Sequence, residues 1–239
     1  MLKNFLETTG KRQHKPLYLY SDGSVSETPL LDKIEIGRIW GNIGDTEDTK
    51  TMADKCAPYI KNAKIGDYVY SDGKISSEYN QFDSVAGIVF WVSFGTPKSG
   101  KRALCITVNA ASLSWGNNVF TKSSSDEDGL LNTKNIIKRA EELCIDAPAA
   151  KFCYHYEGNG LKQGECYLPA INELKRLQMA HNKVNSSLRA MDVSMPTNPF
   201  HLSSTEVDEK FVIAMQLNSQ FTRSMQKYEA WYVHPVFAL

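Results

Sequence analysis

Tyr68-Val69-Tyr70-Ser71-Asp72-Gly73 is the second occurrence of one motif, because Tyr18-Leu19-Tyr20-Ser21-Asp22-Gly23 precedes it by fifty positions. The two copies stay aligned beyond the motif without a gap. Further pairs at the same offset are Val25 with Ile75, Ser26 with Ser76, Gly37 with Gly87, Ile39 with Val89 and Trp40 with Phe90. One register held over two separate patches indicates an internal duplication of a small structural unit.

Each copy has the composition of a β-meander. Aromatic and β-branched residues alternate with polar ones, and Ser-Asp-Gly supplies the residues that a tight hairpin turn requires. The apolar run Gly87-Ile88-Val89-Phe90-Trp91 predicts a third and more buried strand. Because three such short strands are not stable in isolation, each copy needs packing partners.

The composition is that of a folded protein without a strongly charged partner. The 239 residues include 27 basic and 27 acidic side chains, and no block of five or six like charges occurs, so we expect no nucleic-acid partner. No apolar stretch approaches the ~18 residues of a membrane span, and the first ten residues lack a signal-peptide core. We therefore expect no membrane insertion, and a protein made in a cytoplasm without an export route of its own. Five cysteines, an odd number, fit a reduced compartment better than a disulfide framework.

The second half of the chain carries two helix signals. Apolar residues at helical spacing predict a helix over 133–144, with Asn132 or Thr133 as its cap. Pro148 is expected to mark a stop beyond it. Pro169 suits the first turn of a second helix, because its fixed φ is helical.

Strand signals return after the second helix. They predict strands over 211–217 and 229–239, joined by a polar hairpin tip at 218–227. Two helices between β segments, ending on an antiparallel pair, define an α+β fold. We expect an N-terminal β-meander module over residues 1–60 and a larger domain over 61–239, whose first strands come from the second repeat copy.

Several ordered motifs of residues 64–239 resemble one domain family. The motifs are Tyr167-Leu168-Pro169-Ala170-Ile171-Asn172-Glu173-Leu174, Ser203-Ser204-Thr205-Glu206 and Tyr232-Val233-His234-Pro235-Val236. They are similar to motifs of a family of Bacteroidetes surface proteins and phage fibre proteins, including those of crAss-like phages. That family is related to the C-type-lectin-like and formylglycine-generating-enzyme-like folds. Two positions depart from its pattern: Leu202 stands where Trp is usual, and His234 where Arg is usual.

The resemblance implies a C-type-lectin-like domain with two helices and an antiparallel sheet, in a non-enzymatic virion protein. Such a fibre or decoration protein would dock on other virion proteins through the N-terminal module and bind a host-surface glycan or protein as a homo-oligomer. Two alternatives stay open. One is a purely structural decoration protein of the capsid or tail, and the other is a lectin-like protein of the bacterial cell surface.

Aromatic and polar residues near the expected hairpin tip are the candidate ligand-binding residues. They are Phe221, Arg223 and Tyr228, because aromatic rings stack on sugars while polar groups bind the hydroxyls. The alternative is that this tip is solvated or packs on a neighbouring subunit. Trp115 and Trp231 are expected in the core.

Catalytic and metal-binding patterns are weak. Ser203 with His201 or His234 would lack an evident oxyanion hole, and short hydroxyl groups at 203–205 are better explained by hydrogen bonds to the backbone, with Glu206 accepting from nearby amides. Cys153 and Cys166 lack the further ligands of a zinc site, and Asp126 with Asp128 does not match a calcium loop. We expect no catalytic residues, no cofactor and no metal.

Overall fold

The computed structural model describes residues 50–93, 103–196 and 199–239, together with the backbone of the strands at 16–20, 25–26 and 35–40. Its contacts divide the chain into two compact units, Met1–Lys50 and Thr51–Leu239. Residues 51–60 therefore pack with the second unit, where Met52, Cys56 and Ile60 are buried. The docking role of the first unit stays a prediction.

The first unit is a three-stranded sheet. It consists of β1 (Pro16–Tyr20), β2 (Val25–Ser26) and β3 (Glu35–Trp40), in the order β2-β1-β3. Both pairings are antiparallel, but β1 lies in the centre, whereas a meander would have its second strand there. The predicted meander is therefore wrong: after the β1–β2 hairpin the chain returns to the other edge of β1. The turn motif at 21–23 lies outside the described residues.

The second unit opens with the same three-strand arrangement, which confirms the predicted repeat. Its strands are β4 (Tyr68–Tyr70), β5 (Ile75–Ser76) and β6 (Val85–Val92), in the order β5-β4-β6. The first copy pairs Tyr18 with Ser26 and Leu19 with Gly37, and the second pairs Tyr68 with Ser76 and Val69 with Gly87. A bulge follows Leu19 in one copy and Val69 in the other. The two copies therefore have the same strand register, shifted by the fifty residues that separate them in the sequence.

In the second unit these three strands form one half of a six-stranded sheet. The added strands are β7 (Ala103–Ile106), β9 (Cys166–Tyr167) and β14 (Val236–Ala238), and the order is β5-β4-β6-β7-β14-β9. Gly87 permits the close approach of β6 and β7. A Cβ atom at this position would lie 2.4 Å from the carbonyl oxygen of Ile106 and 2.7 Å from the ring of Phe237.

A second, five-stranded sheet holds the C-terminal strands. It contains β8 (Ala111–Ser114), β10 (Phe200–Glu206), β11 (Phe211–Gln216), β12 (Thr222–Gln226) and β13 (Ala230–Val233), in the order β12-β11-β10-β13-β8. All neighbours are antiparallel except β10 and β13, which are parallel.

Two predictions about this region are wrong. The expected tip at 218–227 contains an edge strand, β12, because Val212 pairs with Met225 and buries it. The expected strand at 229–239 is two strands in different sheets. Pro235 has no N–H to continue a ladder, and the chain passes from one sheet to the other at His234-Pro235. The segments 211–217 and 229–239 do not pair, since β10 lies between β11 and β13.

The described residues form four α-helices rather than the predicted two. They are α1 (Met52–Cys56), α2 (Gly129–Leu143), α3 (Pro148–Tyr154) and α4 (Ile171–Arg189), with a 3-10 turn at Ile60–Asn62. Helix α4 lies between the two sheets, where Leu174, Leu177 and Val184 share a core with residues of both. Helices α2 and α3 pack on the other face of the five-stranded sheet. The α+β class is confirmed.

The helix starts differ from the predictions for local reasons. Helix α2 begins four residues earlier than expected, because the Asp128 side chain accepts from the Leu131 amide at 2.9 Å and caps it. Pro148 begins α3 rather than only ending the preceding helix. Pro169 precedes α4 instead of joining its first turn. There the Glu173 carboxylate accepts from the amide of Ala170 at 2.9 Å.

The close approach at Gly87 gives a testable prediction. Gly87→Ala should lower the free energy of unfolding of the second unit by roughly 1–3 kcal/mol, because the methyl group forces β6 and β7 apart. Urea unfolding followed by tryptophan fluorescence measures it. Gly37→Ala alters the matched position of the first copy and should leave the second unit's transition unchanged. Equal stability of Gly87→Ala and the unsubstituted protein would show that the close approach of β6 and β7 does not require glycine at this position.

Candidate functional site

The Ser203 and Thr205 hydroxyl groups of β10 bond to the backbone, as predicted, whereas the Ser204 hydroxyl accepts from the side-chain amide of Asn132 at 3.2 Å. Ser203 Oγ donates to the carbonyl of Ile213 at 2.6 Å, and Thr205 Oγ1 donates to the carbonyl of Ser125 at 3.0 Å. Thr205 Oγ1 also accepts from the amide of Ile171 at 3.0 Å, at the start of α4. These bonds join β10 to its neighbour strand, to the loop before α2 and to α4.

Glu206, at the end of β10, is a buried carboxylate that holds a distant segment. Its oxygens accept from the amides of Thr121 and Lys122 at 3.0 Å. It also forms an ion pair with Lys227, and neither side chain has exposed surface. A buried charge requires such partners, because desolvation without them is strongly unfavourable.

Lys227, which follows β12, extends the same network. Its ammonium group donates to the carbonyl of Val119 at 2.7 Å and lies 4.6 Å from the ring centroid of the buried Trp115. Its own carbonyl accepts from the amides of Trp115 and Gly116 at 2.9 and 3.1 Å. Burial lowers the pKa of the Lys227 ammonium, while the hydrogen bond and charge of Glu206 oppose that shift.

Residues 115–122, here called the clamped segment, are therefore fixed at several points by one ion pair. Within it Lys122 has a φ of 63°, a left-handed conformation that a lysine rarely adopts. The bond from the Lys122 amide to Glu206 compensates this strain. The segment is therefore held by bonds to the side chain of Glu206 and to both the ammonium group and the carbonyl of Lys227.

A cleft of about 580 Å³ opens beside the clamped segment, here called the neutral cleft. Its lining residues are Ser114, Gly116, Asn117, Asn118, Val119, Ile145, Asp146, Pro148 and Tyr228. Tyr228 is 60% exposed, and Asn117 and Asn118 are exposed as well. An accessible aromatic ring beside amide groups and a carboxylate has the chemistry of a polyol site.

The Asp146 carboxylate in this cleft is anchored at one oxygen. Its Oδ1 accepts from Lys151 Nζ and from the Ala147 amide, both at 2.9 Å. The hydrogen bond from Lys151 lowers the pKa of Asp146, so the group is ionised at neutral pH. Asn117 Oδ1 accepts from the Asp146 amide at 3.2 Å, which connects the two walls. Within the described part of the chain Oδ2 has no protein donor, so it remains an acceptor for a ligand hydroxyl.

A second cleft, of about 250 Å³, is lined in part by the end of the clamped segment and is called the basic cleft. Its lining residues are Thr121, Lys122, Asn135, Lys138, Arg139 and Glu142. Arg139 and Glu142 form an exposed ion pair at 3.1 Å. Three cations face one carboxylate here, so the cleft carries positive charge.

The structure separates the three predicted site residues. Tyr228 lines the neutral cleft. Phe221, before β12, has its ring centroid 6.0 Å from that of Phe200, and Arg223 is exposed on the edge strand opposite Ala214. Neither of these two lines the neutral cleft. Their predicted role in ligand binding stays a prediction.

Sequence analysis missed the polar residues of the neutral cleft. Asn117, Asn118 and Asp146 lie in two connections that are far apart in sequence. The Gly-Asn-Asn run directly after Trp115 was the available signal, since loop residues beside a buried aromatic anchor often bind ligands. Nothing in the sequence places Asp146 against them.

The remaining candidate residues, two tryptophans and two histidines, lie in the core or against it. Trp115 is buried as expected, and Trp231 is partly buried against the same core. His201 and His234 stack at 5.0 Å, and burial lowers the pKa of His201 to about 4 and that of His234 well below its usual value. His201 donates to the Pro196 carbonyl and not to Ser203.

The other candidates of the sequence were cysteines and acidic residues. All five cysteines are free thiols, and burial raises the pKa of Cys153 and Cys166. Among the described ranges there is no group of three or more residues able to hold a metal ion. In the same ranges no helix is long and apolar enough to cross a membrane.

Comparisons with known proteins concern the fold. No protein-family model and no curated protein matches the sequence. The structure is similar to that of a fimbrial protein from Bacteroides ovatus, with a TM-score of 0.61 and 16% sequence identity. The matched region covers 74% of this chain and 49% of the fimbrial protein, so the chain spans about half of that protein's length. At this identity the similarity establishes a shared fold and no more.

The ion pair gives the prediction for this site. Lys227→Met should destabilise the second unit by about 3–5 kcal/mol, because it leaves the Glu206 carboxylate buried without its cation. Chemical denaturation measures the change. Lys151→Met removes an exposed pair with Asp146 and should change the stability by less than about 1 kcal/mol. A small effect at Lys227, similar to that at Lys151, would refute the structural role of the pair.

Proposed function

We propose that the protein is a non-enzymatic recognition module that binds a surface glycan in the neutral cleft. The observation that carries the proposal is that the exposed Tyr228 lines one cleft with Asp146 and with Asn117 and Asn118 of the clamped segment. A sugar presents an apolar face and a ring of hydroxyl groups, which match an aromatic ring and nearby amide and carboxylate groups. Preorganisation by the ion pair reduces the entropy lost on binding.

The similarity to a fimbrial protein supports a role at a surface. The sequence resemblance to lectin-like domains of Bacteroidetes surface and phage fibre proteins agrees with that role. We assign the domain to the C-type-lectin-like class on this resemblance. Single lectin sites bind weakly, so the functional form is an oligomer whose copies act together.

The proposed carrier is a phage virion, with the protein released by lysis and attached to other virion proteins through the first unit. Its thiols support this over an exported form. Cys56, Cys105, Cys153 and Cys166 are buried and are not joined in disulfides, whereas exported proteins more often use cysteines in disulfides. The alternative of a bacterial cell-surface lectin shares the same binding site and differs only in its carrier.

A catalytic role has little support in the arrangement of the described residues. The candidate nucleophile Ser203 is buried and donates to the Ile213 carbonyl. The nearby histidines contact each other and the Pro196 carbonyl. Recognition therefore remains the proposed task.

Glycan-array binding with an oligomer of the chain tests the proposal. Tyr228→Ala should weaken binding of the recognised glycan at least about tenfold, since the stacking surface is lost. Phe82→Ala is the matched control, because Phe82 is 86% exposed in the connection between β5 and β6 and lines neither cleft. It should leave binding unchanged.

Two results would count against glycan recognition. One is the absence of any array signal from the oligomer, and the other is equal loss in both variants. The purely structural alternative predicts that Tyr228 is covered by neighbouring subunits in the assembled particle, whereas a receptor-binding protein leaves it outermost. Imaging of purified particles separates these two cases and decides whether a virion carries the protein.

A further inference from the structure

The two clefts lie at neighbouring positions of the same two segments and are here together called the groove. Val119 lines the neutral cleft and Thr121 lines the basic cleft, so along the clamped segment these two residues are separated by Phe120 alone, a span of at most ~7 Å. In the other segment Glu142, in the last turn of α2, lines the basic cleft, and Ile145, beyond the end of that helix, lines the neutral one. The same two segments therefore contribute to both clefts.

Phe120 lies in the chain between a lining residue of each cleft. It is 46% exposed, although both adjoining residues of the clamped segment are held by the buried ion pair. An accessible ring on the segment shared by two clefts can contact a ligand that occupies both. Tyr228 thus lines one cleft of the groove, cationic side chains line the other, and Phe120 belongs to the segment that the two clefts share.

Among the described residues, the basic cleft has an excess of positive charge. Arg139 pairs with Glu142, but among the described residues Lys122 and Lys138 have no acidic partner. The chain as a whole has no net charge, so this local excess is a property of the groove and not of the composition. Unpaired ammonium groups that converge on a cleft attract a carboxylate, sulfate or phosphate.

The position of Lys122 is fixed rather than incidental. Its left-handed backbone conformation is maintained by the bond from its amide to Glu206, and Asn135 Nδ2 donates to its carbonyl at 3.4 Å. The network that holds the clamped segment therefore also fixes the backbone from which the Lys122 side chain extends. A strained residue held by buried partners is typical of functional positions.

We infer that the ligand is an acidic oligosaccharide, with one sugar on Tyr228 in the neutral cleft and an anionic group of a following sugar bound by Lys122 and Lys138. This inference rests on the proposed function and adds the class of glycan. A carboxylate-bearing and a sulfate-bearing sugar share the chemistry that the basic cleft recognises.

Matched oligosaccharides test the inference in a calorimetric or interferometric assay. The probes are an oligogalacturonate, its carboxyl-reduced neutral counterpart, a sulfated galactan oligosaccharide and the unsulfated galactan. At least one acidic probe should bind about tenfold or more tightly than its neutral counterpart, and this advantage should fall as salt increases. The two acidic probes distinguish carboxylate from sulfate.

Variants locate the anionic subsite. Lys122→Gln with Lys138→Gln should remove the advantage of the acidic probe and leave binding of its neutral counterpart unchanged. Lys61→Gln with Lys64→Gln is the matched control, because these lysines line a different cleft with Ile65 and Lys183. The control should keep the full preference for the acidic probe.

The outcomes separate this inference from the proposed function. Equal binding of acidic and neutral probes, both sensitive to Tyr228→Ala, overturns the inference and leaves glycan recognition intact. Loss of the acidic preference in the Lys61 and Lys64 variant, or equal binding of a poly-glutamate peptide, also overturns it. If no oligosaccharide binds and the glycan array gives no signal either, both the inference and the proposed function are wrong.

Discussion

The buried ion pair between Glu206 and Lys227 is the interaction on which the candidate site depends. It joins the ends of two strands of the five-stranded sheet, β10 and β12, to a segment that has no strand partner of its own. The Glu206 carboxylate accepts from two amides of that segment and the Lys227 ammonium donates to one of its carbonyls, so both charges also satisfy backbone groups. Replacing such a pair by apolar residues often leaves stability unchanged, which suggests that its value lies in positioning. Here it positions both clefts of one groove.

The duplicated three-stranded sheet has the same local pattern in two settings. Both copies have the same strand order, the same register and the same bulge. In the second copy the chain adds β7, β14 and β9 beyond β6, and the glycine at position 87 makes the approach of β7 possible. In the first copy the described residues form three strands only. The sequence pattern predicts the three strands and their repeat, whereas the central position of the first strand and the strands added beyond the third depend on contacts that the pattern does not show.

The sequence predicted the fold class, the repeat and the roles of the Ser203 and Thr205 hydroxyl groups, because each depends on local periodicity or on residue type. The predictions were wrong or incomplete where contacts between residues far apart in the chain determine the structure. Met225 belongs to a strand because Val212 lies beside it, and the polar residues around it conceal that relation. Asp146 and Asn117 meet across a cleft without any sequence signal of their proximity. Of the three proposed site residues, Tyr228 alone lines the cleft, since position in a turn does not reveal which surface a side chain faces.

Hydrogen exchange of single backbone amides in Lys227→Met tests most directly whether the ion pair holds the groove. The amides of Thr121 and Lys122 donate to Glu206, whereas the amide of Val89 donates to the Asp67 carbonyl at 2.9 Å within the other part of the unit. We expect protection at Thr121 and Lys122 to fall much more than protection at Val89, because the clamped segment opens locally. Protection that falls equally at all three amides, or that persists at Thr121 and Lys122, would contradict this role of the ion pair.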